Sequence, residues 1–104
     1  MSVVKINQSN FDKIVSDERP VLVDFYADWC GPCKMMLRVV DDLADDGLDA
    51  VIGKANVDEN AELAKQFGVY SIPTLVVFKG GKEIARSVGV KPKSELIKML
   101  GLGA

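Results

Sequence analysis

Residues 21–34 read VLVDFYADWCGPCK, a nearly continuous apolar run that leads into two closely spaced cysteines. The apolar run, residues 21–27, has the length and composition of a central strand that is buried on both faces of a sheet. A long helix is predicted to follow from about residue 32 to residue 46, with Gly47 at its end as a left-handed cap. Apolar residues recur along one face of that helix, at Met36, Val39, Val40 and Leu43. The segment therefore predicts a strand-to-helix corner that carries both cysteines.

Strand and helix signals alternate through the rest of the chain. The other predicted strands are residues 3–6, 50–57, 74–78 and 83–88; the other predicted helices lie near Phe11, over residues 58–67 and from Pro92 onward. Gly80-Gly81 predicts a two-residue hairpin turn between the last two strands. The order β-α-β-α-β-α-β-β-α predicts an α/β domain with a mixed central sheet and helices on both faces.

Length and composition indicate a single domain, residues 1–104. Hydrophobic residues make up 48% and charged residues 27%, which excludes intrinsic disorder, and no apolar stretch approaches the ~20 residues of a membrane span. The net charge of −2 argues against a nucleic-acid partner. Histidine is absent, which excludes His-dependent hydrolysis. Residues 1–6 do not resemble a secretory signal; this favours the cytoplasm, although a mature secreted chain would look similar.

Cys30 and Cys33 are the only cysteines in the sequence. A disulfide across so short a loop contributes ~1.9 kcal/mol in the chain-entropy model, against ~3 kcal/mol for a loop of about fifteen residues, so the pair is a weak structural staple. Structural zinc takes four Cys or His ligands, and this chain has only the two cysteines, so no resident metal is expected. The pair instead indicates redox chemistry, with binding of a soft metal as the weaker alternative.

Cys30 is predicted at the start of the long helix. If Cys30 is the N-cap residue, the Cys33 N–H is the natural donor to its sulfur, because Pro32 has no amide hydrogen. Unpaired amides and the helix dipole favour a thiolate at this position, and Lys34 adds positive charge. The thiolate is the attacking species in disulfide exchange. Cys30 is therefore the predicted nucleophile, and Cys33 is the predicted resolving cysteine, one turn further and less accessible.

Residues 29–34, WCGPCK, resemble the active-site signature of the thioredoxin family. Residues 23–28, the sequence IPT at 72–74, and residues 78–81 and 88–89 are similar to other landmarks of that family, so the resemblance covers almost the whole chain. It implies the thioredoxin fold and reduction of disulfide-containing target proteins. It also implies re-reduction by a flavin-containing thioredoxin reductase that usually draws on NADPH, no cofactor in this chain, and a cytoplasmic monomer.

Asp24 is the most informative residue outside the two cysteines. A carboxylate within an apolar run lies either at an exposed strand end or buried with a raised pKa, and the pattern alone favours exposure. The resemblance implies the opposite, because Asp24 matches a buried aspartate that assists proton transfer at Cys33. Lys54 matches the lysine near that aspartate, although an ordinary solvated lysine is the alternative. Gly31 and Pro32 match the residues that tune the cysteine pair.

The resemblance also implies a shallow apolar surface around the cysteines that binds an extended target. It implies a cis peptide bond before Pro73, whereas X–Pro bonds in folded proteins are cis only about one time in twenty. The cis bond would expose the Ile72 backbone for strand-like pairing with the target. Trp29 is expected at the apolar rim, with core packing as the alternative. The rest of the surface is expected at Val57, Tyr70, Ser71, Val88 and Gly89.

Two features depart from the family pattern or stand outside it. Many thioredoxins have a helix-kinking proline where this chain has Arg38, so we expect a helix without that kink and an exposed pair between Arg38 and Asp41 or Asp42. Five aspartates lie near the end of the long helix, at Asp41, Asp42, Asp45, Asp46 and Asp49. We interpret them as a solvated face, in preference to a partner surface or a calcium site, because the spacing lacks a calcium loop's glycine and glutamate.

The sequence is also compatible with three functions other than disulfide reduction. A disulfide oxidase or isomerase would use the same two sulfurs, but Gly31 and Pro32 resemble the reducing members of the family. A Cu(I) carrier would use the thiolates as soft ligands, and the buried strand and Trp29 before the cysteines argue against it. A structural subunit would use the fold without the thiols. Equilibration with glutathione, copper titration and a double Cys→Ser variant distinguish these functions from disulfide reduction.

Overall fold

The computed structural model describes residues 3–102, so residues 1 and 2 of the segment tested for a secretory signal lie outside the described part. Strands and helices alternate in the predicted order, as β1 (Val4–Lys5), α1 (Phe11–Val15), β2 (Val21–Tyr26), α2 (Gly31–Ala44), β3 (Val51–Asn56), α3 (Ala61–Gln66), β4 (Thr74–Lys79), β5 (Lys82–Val88) and α4 (Lys93–Met99). None of these helices has the length and apolar character needed to cross a membrane.

The five strands form one mixed sheet in the order β1-β3-β2-β4-β5. The β1–β3 and β3–β2 pairs are parallel, and the β2–β4 and β4–β5 pairs are antiparallel. The parallel pairs result from the helical crossovers α1 and α2, and the last antiparallel pair results from the hairpin at Gly80-Gly81. Both glycines have positive φ, 59° and 82°, as a tight two-residue turn requires. The mixed sheet predicted from the element order is confirmed.

Strand β2 lies in the middle of the sheet and is buried along its whole length. Its residues alternate between two apolar clusters, one on each side of the sheet. Leu22 packs with α2 and α4 on one side. Val21, Val23 and Phe25 pack with α1 and α3 on the other side. This burial on both faces confirms the interpretation of the nearly continuous apolar run and places Asp24 inside the protein.

Several helices and strands begin or end at other residues than the sequence predicts. The third helix begins at Ala61 rather than residue 58, because the Asn56 side-chain oxygen accepts hydrogen bonds from the Asp58 and Glu59 amides and forms a turn there. Strand β1 is only two residues long. Helix α2 begins at Gly31 and ends at Ala44, and Gly47 adopts the predicted positive φ three residues beyond that end.

Candidate active site

The two cysteines lie where β2 passes into α2, as predicted. Cys30 is the N-cap residue of α2, with extended backbone angles of −91° and 113°. The Cys33 amide donates a hydrogen bond to the Cys30 sulfur, with a nitrogen–sulfur distance of 3.2 Å. Because Pro32 has no amide hydrogen, this contact uses the first suitable donor that the helix offers. An amide of the first helical turn, which has no carbonyl acceptor within the helix, therefore points at the Cys30 sulfur.

Cys30 and Cys33 are joined by a disulfide, with Cα atoms 5.2 Å apart. Both side chains are buried, Cys30 at 5% exposure and Cys33 at 0%. Cys30 is thus the more accessible of the two, although the difference is smaller than its assigned role as nucleophile suggests. The Cys30 sulfur also lies 3.9 Å from the Ile72 carbonyl oxygen, which brings the loop before β4 to the disulfide.

Asp24 is fully buried, so the exposed position favoured by the sequence pattern is wrong and the one implied by the family resemblance is confirmed. Neither of its carboxylate oxygens has a hydrogen-bond partner among residues 3–102. Burial raises the pKa of Asp24 to about 7, and the positive charge of Lys54 partly opposes that rise. At neutral pH the Asp24 carboxyl is therefore close to the midpoint of its titration, where the protonated and the ionised form are equally populated.

Lys54 lies beside Asp24 because the two residues are partners in the β2–β3 register. Its ammonium group is 5.9 Å from the centre of the Tyr26 ring, within the range of a cation–π contact. Tyr26 itself packs with both cysteines, and burial raises the pKa of its phenol. The sequence predicts Tyr26 only as a strand residue. Its place beside the cysteines follows from strand alternation, which puts it on the same face as Asp24.

The expected target surface is divided between two loops that meet beside the disulfide. The Ile72–Pro73 peptide bond is cis, as the family resemblance implies. Ile72 is partly buried against the cysteines, and Pro73 is buried. The Gly89 amide donates a hydrogen bond of 2.9 Å to the Pro73 carbonyl and so joins the two loops. Gly89 has a φ of +94°, a conformation that favours glycine.

The other residues expected at the surface are distributed around these loops. Trp29 is 72% exposed, so core packing is excluded, and its indole N–H donates to the Asp58 carboxylate at 2.8 Å. Val57 is partly buried against the cysteines, and Val88 is exposed. Tyr70 is 89% exposed, and the neighbouring Ser71 is also exposed. Gly31, Pro32 and Lys34 are exposed on the first turn of α2.

The charged residues of α2 make different contacts from those expected. The Lys93 ammonium group lies 3.1 Å from a carboxylate oxygen of Asp42 and 3.1 Å from one of Asp46. Arg38 is exposed and forms no ion pair within residues 3–102, so its expected pairing with Asp41 or Asp42 is wrong. Two of the five aspartates, Asp42 in α2 and Asp46 just beyond its end, therefore form ion pairs with Lys93, the first residue of α4. Among residues 3–102, no group of three or more Asp, Glu, Cys or His side chains is placed to hold a metal ion.

A redox-active cysteine pair at the start of a helix, after the central strand of such a sheet and beside a cis-proline loop, defines a protein of the thioredoxin fold. The Thioredoxin family model matches residues 2–101, and the chain belongs to that family. Its relatives include the thioredoxins of Chlamydia muridarum, 50% identical over 96 residues, and Alicyclobacillus acidocaldarius, 45% identical over 96 residues. The aligned region covers 91% of this chain in both cases, and 92% and 91% of the respective relatives.

Solved structures agree with this assignment. A mutant thioredoxin from Halobacterium salinarum NRC-1 superposes with a TM-score of 0.88 and 41% identity, over 95% of this chain and 88% of that one. Malassezia sympodialis thioredoxin also superposes with a TM-score of 0.88, at 33% identity over 99% of this chain and 92% of that one. Together, the family and the cysteine pair support a thiol–disulfide oxidoreductase.

Proposed function

We propose that the protein is a disulfide reductase, in which Cys30 attacks a disulfide of a target protein and Cys33 resolves the mixed disulfide. The observation that carries this proposal is the hydrogen bond from the Cys33 amide to the Cys30 sulfur at the N-terminus of α2. In the reduced protein the same amide and the helix dipole favour the thiolate form of Cys30. A thiolate is the species that attacks disulfides.

The proposed reaction has two exchange steps. The Cys30 thiolate attacks one target sulfur, a Cys30–target disulfide forms, and the other target sulfur leaves as a thiolate. Cys33 then loses its proton to the Asp24 carboxylate, directly or through water, and attacks the Cys30 sulfur. The target sulfur that was bound to Cys30 leaves as a thiolate, the target is fully reduced, and the Cys30–Cys33 disulfide is formed. A pKa of about 7 suits Asp24 to this role, because the group both accepts and releases protons near neutral pH.

The target would bind as an extended segment across the two joined loops. The Ile72 backbone beside the cis-proline would pair with the target main chain, and Trp29, Val57, Val88 and Gly89 would form the surrounding surface. Main-chain pairing involves few side chains of the target, so this mode of binding accepts many different target proteins.

The electron supply would come from a partner protein. We propose a flavin-containing thioredoxin reductase that draws on NADPH and reduces the Cys30–Cys33 disulfide after each cycle, with the chain acting as a cytoplasmic monomer. The family assignment supports this partner. The test mixes NADPH, thioredoxin reductase and insulin, and measures the rate of NADPH oxidation with and without this protein. A faster rate with the protein would show that it carries electrons from the reductase to insulin. No acceleration on adding the protein would exclude this electron source.

Reduction of insulin by dithiothreitol tests the activity itself. The wild type is expected to accelerate precipitation of the insulin B chain, and Cys30→Ser is expected to lose the acceleration. Cys33→Ser is the matched variant, because it retains the nucleophile and is expected to accumulate a covalent complex with insulin by non-reducing electrophoresis. Full activity of Cys30→Ser would contradict the proposal. A strongly oxidising equilibrium with glutathione would favour an oxidase instead.

A further inference from the structure

Met36 makes a long-range contact that the chemistry of the cysteines does not require. It lies on α2, three residues after Cys33, and its side chain is fully buried. Its sulfur accepts a hydrogen bond from the Lys91 amide, with a nitrogen–sulfur distance of 3.4 Å. Leucine would fill a similar volume in an apolar core, but it offers no acceptor to this amide.

Residues 88–91, here called the rim loop, run from the last residue of β5 toward α4 and include Val88 and Gly89 of the target surface. Val88 pairs with Thr74 in the β4–β5 ladder, and three further hydrogen bonds among residues 3–102 hold this loop. The Gly89 amide donates to the Pro73 carbonyl at 2.9 Å, and the Lys91 ammonium group donates back to the Val88 carbonyl at 3.1 Å. The third bond, from the Lys91 amide to Met36, joins the rim loop to the helix that carries Cys33.

We propose that Met36 is a positioning residue, whose sulfur holds the rim loop beside the cis-proline loop in the arrangement that binds the target. This inference rests on the proposed function, because it assumes that the target binds across Val88 and Gly89. The bond connects the rim loop to α2, the helix that follows Cys30 and contains Cys33. Without it, the half-buried Lys91 amide has to find water, and the loop loses its fixed distance from the cysteines.

The position of the contact predicts which step of the reaction it serves. The sulfur of Met36 is bonded to the rim loop and not to either cysteine, so its loss leaves the attacking and resolving groups in place. A weakened rim loop reduces target binding. We therefore expect Met36→Leu to raise the KM for insulin about two- to fivefold, the range of one weak hydrogen bond, with kcat unchanged.

The test compares Met36→Leu with Met99→Leu, the same substitution in a residue that packs against the same apolar cluster from α4. Insulin reduction gives KM and kcat, and amide hydrogen exchange by NMR follows Lys91. The proposal predicts a slowly exchanging Lys91 amide in the wild type, faster exchange and a raised KM only in Met36→Leu, and an unchanged kcat in both variants.

The outcome separates this inference from the proposed function. A wild-type KM in Met36→Leu, or an unprotected Lys91 amide in the wild type, would overturn the inference while an inactive Cys30→Ser variant still supports disulfide reduction. An active Cys30→Ser variant would overturn the proposed function first. A fall in kcat equal to the rise in KM, with a lower melting temperature, would identify Met36 as a structural residue only.

Discussion

The buried carboxyl of Asp24 makes the stability of the oxidised protein depend on pH in a way that can be worked out from the structure. Its pKa is about 7 in the folded protein, whereas an unfolded aspartate has the ordinary value of 3.8. The unfolded chain therefore releases this proton at a lower pH than the folded protein does. Below pH 3.8 the Asp24 carboxyl is protonated in both states and does not affect stability. As the pH rises from 3.8 toward 7, the carboxyl ionises in the unfolded chain but not in the folded protein, so the free energy of unfolding falls.

The size of the penalty follows from the difference between the two pKa values. At about 1.4 kcal/mol for each pH unit, the carboxyl destabilises the folded state by about 4 kcal/mol at neutral pH and above. Between pH 5 and pH 8 the change is about 2–3 kcal/mol. Asp24→Asn removes the titration, so the difference in unfolding free energy between wild type and variant should change by that amount. Comparing the two pH values cancels the constant cost of a buried amide.

Urea unfolding of the oxidised protein at pH 5, 6, 7 and 8 measures this difference. The stability of Asp24→Asn relative to wild type is expected to rise from pH 5 to about pH 7 and to level off toward pH 8. Asp41→Asn is the matched control, because Asp41 is an exposed aspartate on α2, and its stability relative to wild type should stay constant within about 0.5 kcal/mol. Parallel pH curves for wild type and Asp24→Asn would refute the assignment of a raised pKa to this group.

Three other substitutions test the packing and charges around the site. Lys54→Met removes the charge that opposes the effect of burial, so the pKa of Asp24 should rise above its wild-type value in a carbon-13 NMR titration; an unchanged midpoint would contradict this. Gly53→Ala places a methyl group against the Ile6 side chain and should cost about 1–3 kcal/mol in urea unfolding. Gly31→Ala, where an added methyl group meets nothing within 4 Å, should cost much less; equal losses would argue against the packing account.

The strands and helices that carry the site could be predicted because their signals are local. The apolar run of β2, the helical spacing in α2 and the paired glycines of the hairpin each specify one element without help from distant residues. The cap at Cys30 could be predicted for the same reason, because Pro32 leaves the Cys33 amide as the donor. The sequence predicts α3 from residue 58, three residues before its true start, because the Asn56 side chain takes the Asp58 and Glu59 amides into a turn.

Contacts between distant parts of the chain could not be predicted from pattern. The apolar run predicts β2 as a buried central strand, but a charged residue beside apolar residues is more often exposed, so the pattern alone does not place Asp24 inside the protein. Lys93 takes Asp42 as its partner because α4 packs beside α2, although Arg38 is closer to Asp42 in sequence. The bond between Met36 and Lys91 joins residues 55 positions apart, and nothing in either local sequence indicates it.

In the proposed mechanism, the start of α2 holds the Cys30 sulfur as a reactive thiolate while Cys33 stays protected behind it. Alkylation of the reduced protein with iodoacetamide at pH 7, followed by mass spectrometry of each cysteine, measures this directly. We expect Cys30 to react at least about tenfold faster than both Cys33 and a thiol in an unstructured peptide. Equal labelling of the two cysteines at the peptide rate, or earlier labelling of Cys33, would contradict it.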